Sequence, residues 1–338
     1  MTPARRIFKK MPVVGITMGD PAGIGPEIIL KALADKEIYK HCIPLIVGGE
    51  RAFQNLRLPV PFQIINDLPA RFHPNVFYLL NQVKLTRFPT GQVSKEAGRA
   101  AVKAIELAVQ MALAGRIQAL VTAPLSKESM HLAGFNYPGH TELLKKMTRS
   151  REVCMVFGGG SVLVGLLTTH LPVKEVSQSI TFSLINKKVK LIVQEFKKYV
   201  SRRIPRIGLC ALNPHAGEGG IFGDEENNII RPAVSHLKAQ GISIEGPIPA
   251  DTIFRTEWMN KFDLILALYH DQGMIPVKMM FGGRTVNMTW GLPFPRTSPD
   301  HGTAFDIAGK NKADPRSMAA AIKAAIEMSF CQNNPKGS

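Results

Sequence analysis

Short, uninterrupted apolar runs constrain this chain more than any other feature. They are VVGITMG (13–19), IPLIVGG (43–49), QALVTAP (118–124), VCMVFGG (153–159), VLVGLLTTH (162–170), RIGLCALNPH (206–215) and LILALYH (264–270). A strand with one wet face alternates apolar and polar residues. These runs do not, so both of their faces are predicted to be covered. Helical patterns lie between them, as crossovers between parallel strands require. The expected class is α/β, with largely parallel sheet covered by helices. A length of 338 residues allows two such units or one large one. No repeat, low-complexity tract or linker is evident, so a second unit is expected to form by the chain crossing over and returning.

The clearest helix runs from Ser94 to Gly115. Ser94 is placed to cap its start and Gly115 to end it, while Ala101, Ile105, Ala108 and Ala112 make one stripe. A second pattern, Asn186 to Arg203, carries Val189, Ile192, Val193, Phe196 and Val200 on one face and lysines on the other. It is the densest basic stretch in a chain of net charge +16, and it reads as a solvated helix face. Charge of this sign favours anionic partners. A basic nucleic-acid-binding protein is the alternative from a different class. No RNA-binding signature, zinc-finger spacing or basic–aromatic interleaving supports it, so no nucleic acid is expected. No apolar run reaches membrane-spanning length and no secretory signal is visible. Residues 1–10 read as a flexible basic extension. Cys42, Cys154, Cys210 and Cys331 are scattered without CxxC spacing, which fits reduced thiols in a cytoplasmic protein.

Three of the apolar runs close on a histidine: His170, His215 and His270. Ligands of parallel sheets gather beyond the carboxyl ends of strands. Singly, each histidine is explained by a hydrogen-bonded strand end. Together at one sheet edge, three neutral imidazoles with an open position would suit a divalent metal. Asp271 is placed to orient such a ligand or to donate to the substrate side. PGHTELL (138–144) sets His140 and Thr141 at a predicted helix start, where free N–H groups favour phosphate or carboxylate; Thr141 also fits a plain N-cap. Lys278, Asn287 and Arg296 lie in apolar or glycine-rich segments. Singly they read as surface or structural residues, jointly as an anion cradle. DHGTAFDIAG (300–309) surrounds Asp306 with small residues, and such a carboxylate can accept from ribose hydroxyls.

The segments GDPAGIGPE (19–27), VTAPLSKE (121–128), PGHTE (138–142), NPHAGEGGIFGDEE (213–226), YHDQGMIPVK (269–278) and GLPFPRTSPDHGTAFDIAG (291–309) together resemble the 4-hydroxythreonine-4-phosphate dehydrogenase family of pyridoxal phosphate biosynthesis. The resemblance covers nearly the whole chain in the family's order. It implies two α/β/α domains with largely parallel central sheets, of the isocitrate/isopropylmalate-dehydrogenase type and not a classical Rossmann fold. The first domain would comprise residues 11–128 plus 278–332 on the cofactor side. The second, residues 129–277, would hold the metal and dimer side. The active site would lie in the cleft between them, at the interface of a cytoplasmic homodimer. By resemblance the metal ligands are His170, His215 and His270, holding one divalent ion per subunit (Zn, Mg, Co or Mn). The substrate-binding residues are His140, Thr141, Lys278, Asn287 and Arg296.

A more distant likeness joins GDPAGIGPE and HGTAFDIAG to the GDGIGPE and HGSAPDIAG motifs of the β-decarboxylating dehydrogenases. It implies that Gly19, Gly23, His301, Thr303 and Asp306 form the cofactor side, with Asp306 at the ribose. A carboxylate there repels a 2′-phosphate and favours NAD over NADP. Trp290 and Pro299 stand where the family carries smaller or aliphatic residues. The implied reaction is metal-assisted, NAD(P)-linked oxidation of 4-phosphohydroxy-L-threonine to 2-amino-3-oxo-4-phosphobutanoate. Decarboxylation then gives 3-amino-2-oxopropyl phosphate. His140, Lys278 and Asp251 are candidate proton acceptors, and the sequence does not rank them. The nearest alternative is a dehydrogenase of a phosphorylated threonate-like acid on the same scaffold. Locally, GDPAGIGPE lacks the GxGxxG spacing of the dinucleotide fingerprint. With Pro26 set for a first helical turn and Glu27 beside it, the stretch predicts strand, tight turn, helix.

Overall fold

All of the predicted strands form, and further strands that the apolar pattern does not mark complete a single sheet. The computed structural model describes residues 11–333 except 55, 57–61, 86 and 160–161, so the predicted extension 1–10 lies outside the described residues. The strands are β1 (Val13–Thr17), β2 (Ile43–Gly48), β3 (Gln63–Ile65), β4 (Tyr78–Asn81), β5 (Ala119–Thr122), β6 (Cys154–Gly158), β7 (Leu163–Leu166), β8 (Ile207–Cys210), β9 (Ile244–Ile248), β10 (Leu264–Ala267), β11 (Val286–Trp290) and β12 (Arg296–Pro299). Their order is β3-β4-β2-β1-β5-β12-β11-β6-β7-β10-β8-β9. From β3 to β12 neighbouring strands are parallel, as they are from β7 to β9. Antiparallel pairing of β11 with β12 and β6, and of β6 with β7, joins the two groups. The two central sheets expected from the sequence are therefore one continuous sheet, because β11 supplies a shared edge to both.

Covering both faces explains the unbroken apolar runs. In β10, Leu264 and Leu266 pack into one core, and Ile265 and Ala267 into another on the opposite face. Ile185, Val189, Ile192 and Phe196 of the helix Phe182–Tyr199 share the first core, and Met274 and Val277 of the helix His270–Phe281 share the second. The helix Phe182–Tyr199 begins earlier than its lysine cluster suggests, where Thr181 accepts from the Leu184 N–H at 3.1 Å. It ends before Val200, so that residue leaves the predicted stripe and is 48% exposed.

The helix Lys95–Leu113 follows its prediction closely. Ser94 caps it by accepting from the Ala97 N–H at 3.2 Å, and Gly115 takes a positive φ of 69° just beyond its end. Within it, Gly98 lets the backbone of the helix Lys127–Leu132 approach: a Cβ at position 98 would lie 1.9 Å from the Ser129 carbonyl oxygen. Since backbone cannot swing aside, Gly98→Ala is expected to destabilise the protein by at least about 2 kcal/mol. A lowered urea denaturation midpoint with unchanged slope checks this, and an unchanged midpoint contradicts it.

Candidate active site

The antiparallel seam carries the floor of a cleft of about 400 Å³. Side chains alternate faces along a strand, and cross-strand partners share a face. Asn287 pairs with Phe157 on one side and Ser298 on the other, so all three point the same way and line the cleft. On the opposite face of β11, Val286, Met288 and Trp290 enter the core, Trp290 completely. Thr122, Met155 and Arg296 extend the floor across β5, β6 and β12, while His140, Thr141, His170, His270, Lys278 and His301 rise around it.

Arg296 is only 1% exposed and makes no ion pair with any described residue, although the Glu142 carboxylate acts on its charge from within the same cleft. Its guanidinium donates to Thr289 Oγ1 at 2.8 Å and Thr122 Oγ1 at 2.5 Å, and its Nε–H is unsatisfied. Burial brings its pKa down to about 9, so it stays charged at neutral pH. A buried cation held only by hydroxyls costs several kcal/mol unless an anion joins it. The Asn287 Oδ1 and His140 Nε2 atoms are likewise buried without partners. Burial first, and the Arg296 and Lys127 charges second, push the His140 imidazolium down to about 3. The ring is therefore neutral. Lys278 Nζ lies 3.0 Å from Asp300 Oδ2.

Two of the three predicted metal histidines meet. β7 and β8 flank β10 in parallel, so the strand-end segments carrying His170, His215 and His270 leave the same sheet edge. The His170 and His270 rings lie 5.9 Å apart. His270 Nδ1 is 2.7 Å from Asp271 Oδ1, and His170 Nδ1 is 3.8 Å from Glu142 Oε1. The His170 contact holds the Glu142 carboxyl below its usual range, against the effect of burial. A carboxylate at Nδ1 leaves Nε2 to bind a metal, which is the usual arrangement around ligating histidines. His215 does not join them: its nearest ring neighbour is Phe222, at 6.2 Å, and the cleft is not lined by it. Among the described residues of one chain, no group of His, Cys, Asp or Glu is close enough to form a metal site. Residues 215–219 all take positive φ. Glu226 fixes the start of this turn by accepting from the Leu212 and Asn213 N–H groups, both at 2.8 Å.

The two cofactor-side motifs touch each other. The Ile24 N–H donates to the Thr303 carbonyl at 3.0 Å, and a Cβ on Gly23 would lie 2.8 Å from that same oxygen. Gly19, at φ 72°, lets Pro124 approach so closely that a Cβ would sit 2.4 Å from its carbonyl. These glycines thus brace the loops that bear Lys127 and His301. Asp306 is exposed beyond them, and Asp251 is exposed on a short helix that does not line the cleft. Sequence reasoning missed Thr122, Lys127, Glu142 and Asp300, all of which line it. VTAPLSKE and PGHTE contain the first three, but only the fold shows which of their side chains turn inward.

The family profile described as "Pyridoxal phosphate biosynthetic protein PdxA" matches residues 40–325. The chain belongs to the PdxA family. It is 41% identical to a D-threonate 4-phosphate dehydrogenase of Salmonella typhimurium, over 93% of this chain and 98% of that one. It is equally 41% identical to a 4-hydroxythreonine-4-phosphate dehydrogenase of Desulforapulum autotrophicum, over 93% and 94%. A crystal structure of 4-hydroxythreonine-4-phosphate dehydrogenase from Klebsiella pneumoniae matches with a TM-score of 0.83 at 39% identity, covering 94% of this chain and 99% of that one. The isocitrate dehydrogenase of Methylococcus capsulatus, at 14% identity and TM-score 0.51, over 96% of this chain and 87% of that one, shares the fold.

The neutrality of His140 sets a pH dependence. An unperturbed histidine titrates near 6.5, so between there and about 3 the folded state binds fewer protons than the unfolded one. Its contribution to stability is complete above that window and is lost as the pH falls through it. His140→Asn is expected to flatten the acid limb of stability against pH, measured by urea denaturation. Identical limbs in both proteins contradict a buried neutral ring.

Proposed function

We propose that this chain is a metal-dependent, nicotinamide-linked dehydrogenase of a phosphorylated 3-hydroxy acid. The preferred substrate is 4-phosphohydroxy-L-threonine, which would give 2-amino-3-oxo-4-phosphobutanoate and, after decarboxylation, 3-amino-2-oxopropyl phosphate. The observation that carries this reading is the buried Arg296, which makes no ion pair with any described residue, on the floor of a cleft that also holds the facing His170 and His270. Arg296 and Lys278 attract the substrate's oxyanions, and Asn287 and Thr141 supply polar contacts beside them. Neutral His140 offers its unpartnered Nε2 as a hydrogen-bonding position for the substrate hydroxyl, and Lys278 could take the hydroxyl proton only as the free amine, released from Asp300. Asp251 stands outside the cleft of a single chain, so any such role for it requires the partner subunit. His170 and His270, completed by a histidine from the partner subunit because His215 of the same chain stands apart, would hold the divalent ion, which when bound would lower the pKa of the C3 hydroxyl and polarise the resulting ketone. NAD, received on the side of His301, Thr303 and Asp306, accepts the hydride; NADP is the alternative.

A second reading, D-threonate 4-phosphate as substrate, is favoured by relatives of that name at equal identity. The two acids share a carboxylate, a C3 hydroxyl and a phosphate, and differ at C2, where one carries an ammonium and the other a hydroxyl. Comparing kcat/KM for both acids, with NAD and NADP, tests the assignment. We expect turnover that is lost on exhaustive chelation and restored by a divalent ion. Turnover insensitive to chelation rules out the metal, and a higher kcat/KM for the threonate transfers the assignment to the second reading.

We further propose a homodimer that covers the histidine edge. Apolar side chains there stand in water: Ile275 (60%) and Met279 (81%) on the helix of His270 and Lys278, Ile221 (76%) in the loop of His215, and Val173 (77%) just after His170. Exposed clusters of this kind mark protein interfaces. Such a contact would also bring a partner's histidine to the incomplete set. The described residues contain no helix long and apolar enough to cross a membrane. Met279→Asp is expected to shift the protein toward monomer in light scattering and to cut turnover with it. A monomeric wild type contradicts the proposal.

A further inference from the structure

Three cations line the cleft, and they are not equally available. Lys278 is paired with Asp300 at 3.0 Å. Arg296 is fixed beneath the floor by two threonine hydroxyls. Lys127 is exposed at the mouth and makes no ion pair with any described residue. Its backbone is nevertheless held firmly. It opens a short helix whose cap, Ser126, accepts from the Ser129 N–H at 3.1 Å. The loop before it is fastened by the Asp20 N–H, which donates to the Pro124 carbonyl at 2.8 Å.

Its side chain runs to the start of another helix, His140–Thr148. A Cβ built on Gly139, the residue just before that helix, would lie 3.7 Å from Lys127 Cε and 3.5 Å from Glu142 Oε2. The Lys127 charge is also felt at both His140 and Glu142. The start of this helix with Thr141, the Lys127 ammonium and the buried Arg296, whose Nε–H is unsatisfied, thus line one cleft.

We propose that Lys127 is a substrate-binding residue that anchors the phosphate of the substrate over the first turn of the helix His140–Thr148. This rests on the phosphorylated-acid reading above. Arg296 and Lys278 are already held on the floor by the threonine hydroxyls and Asp300, so an oxyanion entering at the mouth meets Lys127, which has no ion-pair partner among the described residues. The compact, mobile ammonium suits a tetrahedral dianion that enters at the mouth, whereas the rigid, buried guanidinium cannot follow it.

The test compares wild type, Lys127→Met and Lys127→Arg. It measures calorimetric titration with inorganic phosphate, KM and kcat for the phosphorylated acid, NAD affinity and thermal midpoint. Lys127→Met is expected to weaken phosphate binding and raise KM by about tenfold or more, as loss of a charge-assisted contact does. NAD affinity and the thermal midpoint should stay at their wild-type values, and Lys127→Arg should recover most of the loss. Competition by 3-hydroxybutanoate, which has the carboxylate but no phosphate, should be unaffected by Lys127→Met. If that competition weakens as much as phosphate binding does, Lys127 holds the carboxylate and the assignment is overturned. Unchanged KM and phosphate affinity in Lys127→Met overturn it outright. Phosphate binding that depends on Lys127 in a protein that oxidises neither acid sustains the anion site and removes the functional reading instead.

Discussion

The pairing of β11 between β12 and β6 is the contact on which the rest of the molecule depends. It turns two groups of parallel strands into one sheet. Its register aligns Ser298, Asn287 and Phe157 on one face, and the alternation of β11 sends Met288 and Trp290 into the core on the other. A shift of one residue would exchange these faces, burying the amide and exposing the indole. The cleft floor is thus a consequence of strand register, made at the seam where the parallel order breaks. Helices cover both faces elsewhere, so the seam is where polar side chains find room to gather.

What gathers there is electrostatically incomplete. A guanidinium in the interior with only hydroxyl partners, a neutral buried imidazole and an unpaired amide oxygen are each unfavourable alone. They are tolerated because the sheet and the loops around it hold them rigidly, and an anionic ligand would satisfy them together. The histidine edge is incomplete in another sense. His170 and His270 are oriented by carboxylates, while the left-handed turn at 215–219 carries His215 elsewhere. Non-glycine residues in that conformation cost about 1 kcal/mol or more each. Glu226, fully buried, accepts from the Leu212 and Asn213 backbone and from the Asn213 side chain, and this anchors the turn.

Much of the fold could be read from the chain because most strands are covered on both sides and therefore uniformly apolar. Of the strands that escaped, β4 is buried but only four residues long, and the others have a polar or solvent-facing side. β3 and β9 are partly exposed edges, and β11 and β12 carry Asn287, Thr289, Arg296 and Ser298 toward the cleft. The alternation in VNMTW was the available signal, but a run that short does not distinguish a strand from a loop. At the site, the histidines were legible from their place at strand ends. Lys127, Glu142 and Asp300 were not, since a charged residue at a loop or helix start reads as solvated until something folds over it.

By itself the sequence determined which segments are strands covered on both faces, where the long helices between them lie, and that three histidines close apolar strands. These follow from local periodicity and capping, which act over a few residues. Only the tertiary structure decided that the halves share one sheet, that GDPAGIGPE is a brace packed against Thr303 and Pro124, and that His215 stands apart from His170 and His270. Those outcomes depend on strand register, on close backbone approach and on a buried carboxylate setting a distant turn. The first two are contacts between residues far apart in the chain, the third spans 13 and 14 residues, and no local periodicity encodes their geometry.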